Sequence, residues 1–312
     1  MDYGWRFKVS FKQLEKSKTC LGALIVFVIM GFANFFFADA QQASREVEKL
    51  LESGVPANVQ LRTPSHEIKV VSYNIRWRSG HELEQIIRWL KGTKDSTAPV
   101  IIALQEVDRA KLRSDKIDHA KAIADSLGMY YAWTAPSSPT VKKKQAEEET
   151  GVELLSYFPL TQIKRIALPH PGPGGRGRVA LGATITIDKT NLRVYSVHSE
   201  TRVPIAQKMD QLRAVLEDLA KFPATMPAIV MGDFNSWEIP TVDGIRKLFT
   251  NAGFTTPFPD DETTFSRSAV LFDLKLKLDW VWLRGLTAPT YGIDRSLTIS
   301  DHFPLWSVVK IS

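Results

Sequence analysis

Short apolar runs rich in β-branched and aromatic residues alternate along this chain with longer stretches whose apolar positions recur every three or four residues. The short runs at residues 68–73, 100–104, 152–155, 180–187, 192–197, 228–232, 279–283 and 305–311 predict strands buried on at least one face. Helical spacing predicts a helix at 81–91 through Leu83, Ile86, Ile87 and Leu90, and a second at 117–127 stopped by Gly128. A third helix is expected at 204–221, amphipathic through Ala206, Met209, Leu212, Val215, Leu216 and Leu219, and a shorter one at 243–252. Alternation of this kind predicts a mixed α/β domain. Beginning near Glu67, it has enough chain for one sizeable core.

The N-terminal part reads differently. Residues 20–38 run without charge after a polar leader containing Arg6, Lys8, Lys12, Lys16 and Lys18. Such a run is long enough to span a bilayer, and Ala38-Asp39-Ala40 also fits a signal-peptide cleavage pattern. Residues 1–40 are therefore expected to be a signal peptide or membrane anchor that exports the rest of the chain, secreted, periplasmic or tethered, because the basic side stays in the cytoplasm. Residues 41–53 read as a short polar helix ending at Gly54, and 55–65, with two prolines, as a linker, so 41–66 precedes a domain at 67–312. Residues 136–150 read as a solvated loop, with Lys142, Lys143 and Lys144 followed by Glu147, Glu148 and Glu149.

Composition changes this picture little. The formal charge of +6 includes the basic leader, and the remaining bias permits an acidic substrate without demanding one. The single cysteine, Cys20, excludes disulfides within the chain and thiolate zinc clusters.

Candidate chemistry gathers at strand ends. The run 228–232 delivers Asp233 and Asn235, which an extended backbone points to one side. Alone, that pair fits an Asx turn. The device recurs, however: Asn74 ends one strand, Gln105 and Glu106 another, and His198 a third, with Glu200 two residues on. Asp279 opens a strand, and Asp301 and His302 precede the last one. If some strands run antiparallel, these groups share one rim above a dry core.

The segments SYNIR, LQEVD, VHSE, GDFNSW, KLDWVWL and SDHFPLW, in this order between residues 68 and 311, resemble the endonuclease/exonuclease/phosphatase superfamily with its DNase I-like fold. The resemblance implies an α+β four-layer sandwich, with two mostly antiparallel β-sheets flanked by helices. It also implies hydrolysis of a phosphoester with Mg²⁺, or Mn²⁺, by in-line attack of water. Glu106 is then expected to ligate the metal, with Asn74 and Asp301 completing its shell. Asp279 and His302 form the expected base unit, Asp233 exchanges a proton with the leaving oxygen or the nucleophile, and Asn235 and His198 hold the phosphate. The family often carries an arginine where this chain has Tyr157, and Arg176 or Arg178, in a glycine-rich loop at 171–178, could supply the cation instead.

The substrate stays open at this stage. Nucleic acid would use exposed aromatics such as Trp77, Trp133 and Trp237 for stacking. A sphingomyelinase-like lipid phosphodiesterase would suit a tethered domain, and a phosphomonoesterase is a third option. The alternative of another class is an inactive module that binds a phosphorylated partner. A monomer is expected.

Overall fold

The computed structural model describes residues 50–60, 62–92, 100–137, 149–268 and 273–311. The leader at 1–40, the larger part of the helix expected at 41–53, and Lys142 to Glu148 lie outside the described residues. In chain order, the first half contains β1 (Leu51–Gly54), β2 (Glu67–Asn74), α1 (Gly80–Gly92), β3 (Val100–Arg109), α2 (His119–Leu127), β4 (Tyr130–Thr134) and β5 (Glu149–Ser156). Next come β6 (Leu160–Gly172), β7 (Arg176–Ile187), β8 (Thr190–His198), α3 (Ile205–Leu219), β9 (Ala228–Asp233) and α4 (Ile239–Asn251). The chain closes with β10 (Phe265–Ser268), β11 (Asp273–Leu276), β12 (Asp279–Arg284), β13 (Leu286–Ile293) and β14 (Leu305–Ile311).

Two sheets face each other. The first has seven strands in the order β1-β4-β5-β3-β2-β14-β13, and the second five in the order β12-β9-β8-β7-β6. Pairing within them is antiparallel except at β2–β3 and β8–β9. Alternation along each strand sorts the apolar residues between two destinations. Val70, Ile101, Val194, Ile229 and Val281 fill the space between the sheets. Val71, Tyr73, Ile102 and Leu104 point the other way, where Leu83, Ile86 and Leu90 of α1 and Ile123 and Leu127 of α2 cover them. On the far face of the second sheet, Val230, Trp280 and Trp282 pack under Met209, Leu212, Val215 and Leu219 of α3 and Phe249 of α4. The layers are helix, sheet, sheet, helix, as the sequence resemblance implied.

Several elements depart from the sequence reading. Leu51 to Ser53, expected as the end of a helix, form a strand paired with β4, so the sheet recruits residues ahead of Glu67. Arg176 and Arg178 lie on β7 rather than in a loop, and the glycine-rich turn shrinks to residues 173–175. Glu149, grouped with the solvated loop, is buried at the start of β5. The strands β6 and β13 escaped notice because both are sheet edges with prolines and bulges, which edges tolerate.

One glycine sets the spacing of the two parallel strands at the centre of the second sheet. Gly232, at φ 143°, lies beside Val197, and a Cβ there would sit 2.0 Å from the Val197 carbonyl oxygen. Backbone cannot yield as a flexible side chain does. Gly232→Ala is expected to cost about 3 kcal/mol of stability, measured by urea unfolding; a cost below about 0.5 kcal/mol would show that β8 and β9 can separate freely.

Candidate active site

The inward-facing alternation of the two sheets continues past the apolar core to one end of the sandwich. There Asn74, Gln105, His198, Asp233 and Asp279 occupy positions of the same parity as the interlayer valines and isoleucines. Glu106 joins them by a different route. Its φ of 57° places it in a bulge between Gln105 and Val107, where the pairing of β3 with β5 shifts register. A bulge re-aims a side chain that a regular strand would send to the opposite face. Glu106 thereby reaches the cleft instead of following Leu104 under the helices. His302 and Asp301 arrive on the segment before β14, where the Ser300 hydroxyl donates to the Asn74 carbonyl at 2.8 Å.

The polar groups are satisfied largely by one another. Asn74 Nδ2 donates to Asp233 Oδ2 at 3.0 Å and to Glu106 Oε1 at 3.4 Å, while Asn74 Oδ1 accepts the Arg76 N–H at 3.0 Å. Asp279 Oδ2 and His302 Nδ1 lie 2.9 Å apart, leaving Nε2 facing Asp233 Oδ2 at 3.8 Å. Burial opposes charge on His302, but Asp279 and Asp233 overcome it and lift its pKa to about 10. Asp233, buried beside Asp279, is pushed up to about 7; His302 pulls against that shift without cancelling it. The rim thus holds a charged imidazole between Asp279 and Asp233, the latter poised between its acid and carboxylate forms near neutrality.

His198 has the opposite character. Burial, followed by the charges of Arg178, His302 and Arg176, holds it well below the usual histidine range. Arg178 lies 3.2 Å from His198 Nδ1, and a guanidinium can only donate. The ring is therefore neutral, with its proton on Nε2, which faces Asp233 Oδ2 at 3.5 Å and Glu106 Oε1 at 3.8 Å. Behind it stands Glu200, whose carboxylate is fully buried. It accepts from Arg178 Nε at 3.1 Å, from Arg176 Nε at 2.9 Å, from Arg176 Nη2, and from the Arg202 N–H at 2.9 Å. Burial works against its charge, and these donors still hold its pKa below the usual value. Gly172 makes room, since a Cβ there would meet Glu200 Cδ at 2.6 Å.

Two arginines named from sequence as phosphate contacts are thus also the support of His198. Arg178 borders the cleft, while Arg176 opens into the neighbouring one. Asn235, at φ 51°, lines the cleft, and its amide is braced by the Ser199 carbonyl at 3.0 Å and the Thr201 hydroxyl at 3.0 Å. The buried Lys208 donates to the Asn235 carbonyl and fixes this loop. Sequence reasoning overlooked Lys208, and it overlooked Arg76, which pairs with Asp301 Oδ2 at 2.6 Å; their signals were a lone lysine in an amphipathic helix and an arginine two residues past Asn74. Trp133, a candidate stacking surface, is fully buried with its Nε1 on the Val107 carbonyl, so it cannot stack on a ligand. Trp237 is 51% exposed at the cleft, and Trp77 is half-buried among Arg76, Arg78 and Arg113.

The donors suit a hard divalent cation. Glu106 and Asp301 present carboxylate oxygens to the same cleft, and Asp301 Oδ1 is buried without a hydrogen-bond partner. Asp233, Asp279 and His302 also bring possible ligand atoms within 4.8 Å of one another. Held as an imidazolium by Asp279, His302 is a poor ligand, since ligation needs the neutral ring. Glu106 and Asp301 offer a second set of carboxylates, with Asn74 bridging Glu106 to Asp233 and Arg76 already paired with Asp301 Oδ2.

The tautomer of His198 is directly measurable. Nitrogen NMR is expected to show Nε2 protonated and Nδ1 unprotonated through the ordinary histidine range, about 6.5, and below it. Replacing the cation by Arg178→Met should raise that pKa. A His198 that titrates near 6.5 in the parent protein would contradict the geometry.

Comparison with known proteins bears on the fold and the family. The described fold is similar to an endonuclease/exonuclease/phosphatase family protein from Leptotrichia buccalis C-1013-b, at 18% identity over 78% of this chain and 100% of that one, with a TM-score of 0.61. It is similar to ANGEL2, a 2′,3′-cyclic phosphatase, at 16% identity over 78% and 96% of the two chains, TM-score 0.57. It also resembles D. rerio TDP2 complexed with a single-strand DNA product, at 17% identity over 79% and 100%, TM-score 0.58. No curated protein is matched by sequence. Residues 71–302 match the model of the Endonuclease/Exonuclease/phosphatase family, most of the chain and every site segment from Asn74 to His302, and the protein belongs to that family.

Proposed function

We propose that the protein is an exported, Mg²⁺-dependent phosphodiesterase that hydrolyses its substrate by in-line attack of water. Its family comprises phosphoester hydrolases that generally depend on divalent metal ions. The observation that carries the diester reading is the meeting of two clefts at the polar rim. One, of about 480 Å³, contains His302, His198, Asp233 and Asn235. The other, of about 350 Å³, contains Trp77, Lys111, Arg113 and Arg176, and both are lined by Glu106 and Arg178. A phosphate held at the junction has room for a substituent on either side, as a diester requires. Among similar solved structures, ANGEL2 is a 2′,3′-cyclic phosphatase and a Bacteroides thetaiotaomicron protein is a mannosyl-6-phosphatase, so neighbours of this fold handle both ester types. Burial of Trp133 removes one of the stacking surfaces that a nuclease reading would use.

The residues divide the work by charge. His198, neutral with an N–H facing the cleft, donates to a phosphate oxygen, and Asn235 has an amide hydrogen to spare after bonding Ser199. His302 meets the transferring group as a charged donor, held by Asp279. That leaves Asp233, 3.8 Å from His302 Nε2, to take the proton of the attacking water. The sequence named Asp279 and His302 as a base unit and left activation of the nucleophile open to Asp233 as well; the carboxyl groups that flank His302 support the reading with Asp233. A divalent ion held by Glu106 and Asp301, with Asn74 adjusting its shell, would neutralise charge building on the phosphoryl oxygens. Export rests on the basic leader and the apolar run at 20–38; no described helix is long and apolar enough to cross a membrane.

The full chain should be assayed on a simple phosphodiester, a phosphomonoester, plasmid DNA and sphingomyelin, with Mg²⁺ and with chelator. Turnover of a diester that chelation abolishes is expected, and His302→Ala should lower it at least about a thousandfold. Absence of metal-dependent turnover on all four would favour a binding module, and a loss below tenfold in the variant would remove His302 from the chemistry.

A further inference from the structure

The hairpin of β10 and β11 has an apolar face that stands outside the three apolar clusters holding the layers together. Phe265 pairs with Leu276 and Arg267 with Leu274, so these four side chains share one side of the ribbon. Ser266, Ser268, Asp273 and Lys275 take the other. The first side, with Leu278 and Trp237, forms a wall of the cleft that contains His302 and Asp233. Phe265, Leu274, Leu276, Leu278 and Trp237 belong to none of the three apolar clusters that hold the layers together; Phe265 and Leu278 are buried at the base of the wall, while Leu274 is 40% and Trp237 51% exposed. Apolar surface of this kind beside a reactive centre marks a place for a ligand.

The wall is fixed relative to the chemistry. Ser266 N–H donates to the Asp301 carbonyl at 2.8 Å, and Phe303 N–H to the Thr264 carbonyl at 2.8 Å. The Phe265 ring stands edge-on to the His302 imidazole with centroids 5.0 Å apart. Whatever lies along the hairpin is therefore positioned against the imidazole that meets the phosphate. The second cleft is lined mainly by polar groups, among them Lys111, Arg113, Thr150 and Arg176, with Trp77 and Pro136 as its apolar part. The two sides of the junction differ in polarity, so the two ester substituents should differ likewise.

We propose that the β10–β11 wall is a subsite for an aliphatic substituent of the phosphodiester, and that the polar cleft takes the other, hydrophilic substituent. This inference rests on the phosphodiesterase reading and names its substrate class. An aliphatic chain fits better than a nucleobase. Three of the five apolar wall residues are leucines, the Phe265 ring already packs on His302, and among the described residues no second aromatic ring stacks with Trp237 to make a slot.

The test uses the full-length protein with Mg²⁺ and a series of alkyl glyceryl phosphates with methyl, butyl and octyl chains, kept below micellar concentrations, alongside thymidine glyceryl phosphate. Hydrolysis is followed by phosphorus NMR. Burial of each added methylene should raise kcat/KM about two- to fourfold, so the octyl ester should exceed the methyl ester by at least about a hundredfold. The double substitution Leu274→Asn with Trp237→Asn, at two exposed positions, should reduce the octyl-to-methyl ratio at least about tenfold. Turnover with no dependence on chain length would overturn the subsite while leaving the phosphodiesterase intact. Preference for the thymidine ester over the octyl ester would overturn it in favour of base recognition. Failure to hydrolyse every diester would overturn the phosphodiesterase reading, and the subsite with it.

Discussion

A hydrogen bond ties the two sheets together at the polar rim: Asn74 on β2 donates to Asp233 on β9 at 3.0 Å. A layer below, Gln105 Nε2 donates to the Ser196 hydroxyl at 3.1 Å, and that hydroxyl donates to the Leu104 carbonyl at 3.2 Å. Between two apolar inner faces, polar side chains are tolerated only when they find partners across the gap. The sandwich therefore closes its polar end by cross-sheet bonding, and that same closure sets the spacing of the reactive groups. Packing and function share one constraint here. Moving the sheets apart would separate Asn74 and Glu106 from Asp233 and His198 at once.

Charge is distributed across the rim with similar economy. Acidic Asp233 and Asp279 surround His302, whereas Arg176 and Arg178 surround His198. Two histidines only a few residues' width apart consequently hold opposite protonation states, one charged and one neutral. Glu200 is the hidden element in this division. Without a buried carboxylate to hold them, two guanidiniums side by side would repel each other, and Arg178 would lose its fixed approach to the imidazole.

Much of this was legible in the residues. Strands such as β2, β3, β8, β9 and β12 are apolar on both faces because each is covered twice, and their polar termini, readable in the sequence, meet at one end of the sandwich. What stayed hidden depended on partners remote in sequence. An edge strand like β6, with Pro169 and Pro171, carries few of the signals of a covered strand. The bulge at Glu106 cannot be seen without β5 beside it. The burial of Glu200 is invisible in the sequence, because nothing near it shows that Gly172 clears a space for it. The hairpin of β10 and β11 is short, and its apolar residues resemble ordinary core positions until their neighbours prove to be the cleft.

The account's central claim is that water, activated at Asp233 beside the charged donor His302, attacks phosphorus directly. Hydrolysis of a diester substrate in ¹⁸O-labelled water, with mass analysis of both products, tests it most directly. One labelled oxygen in the phosphoryl product and none in the released alcohol is the expected result. Label in the alcohol would place the cleavage at carbon and contradict the account.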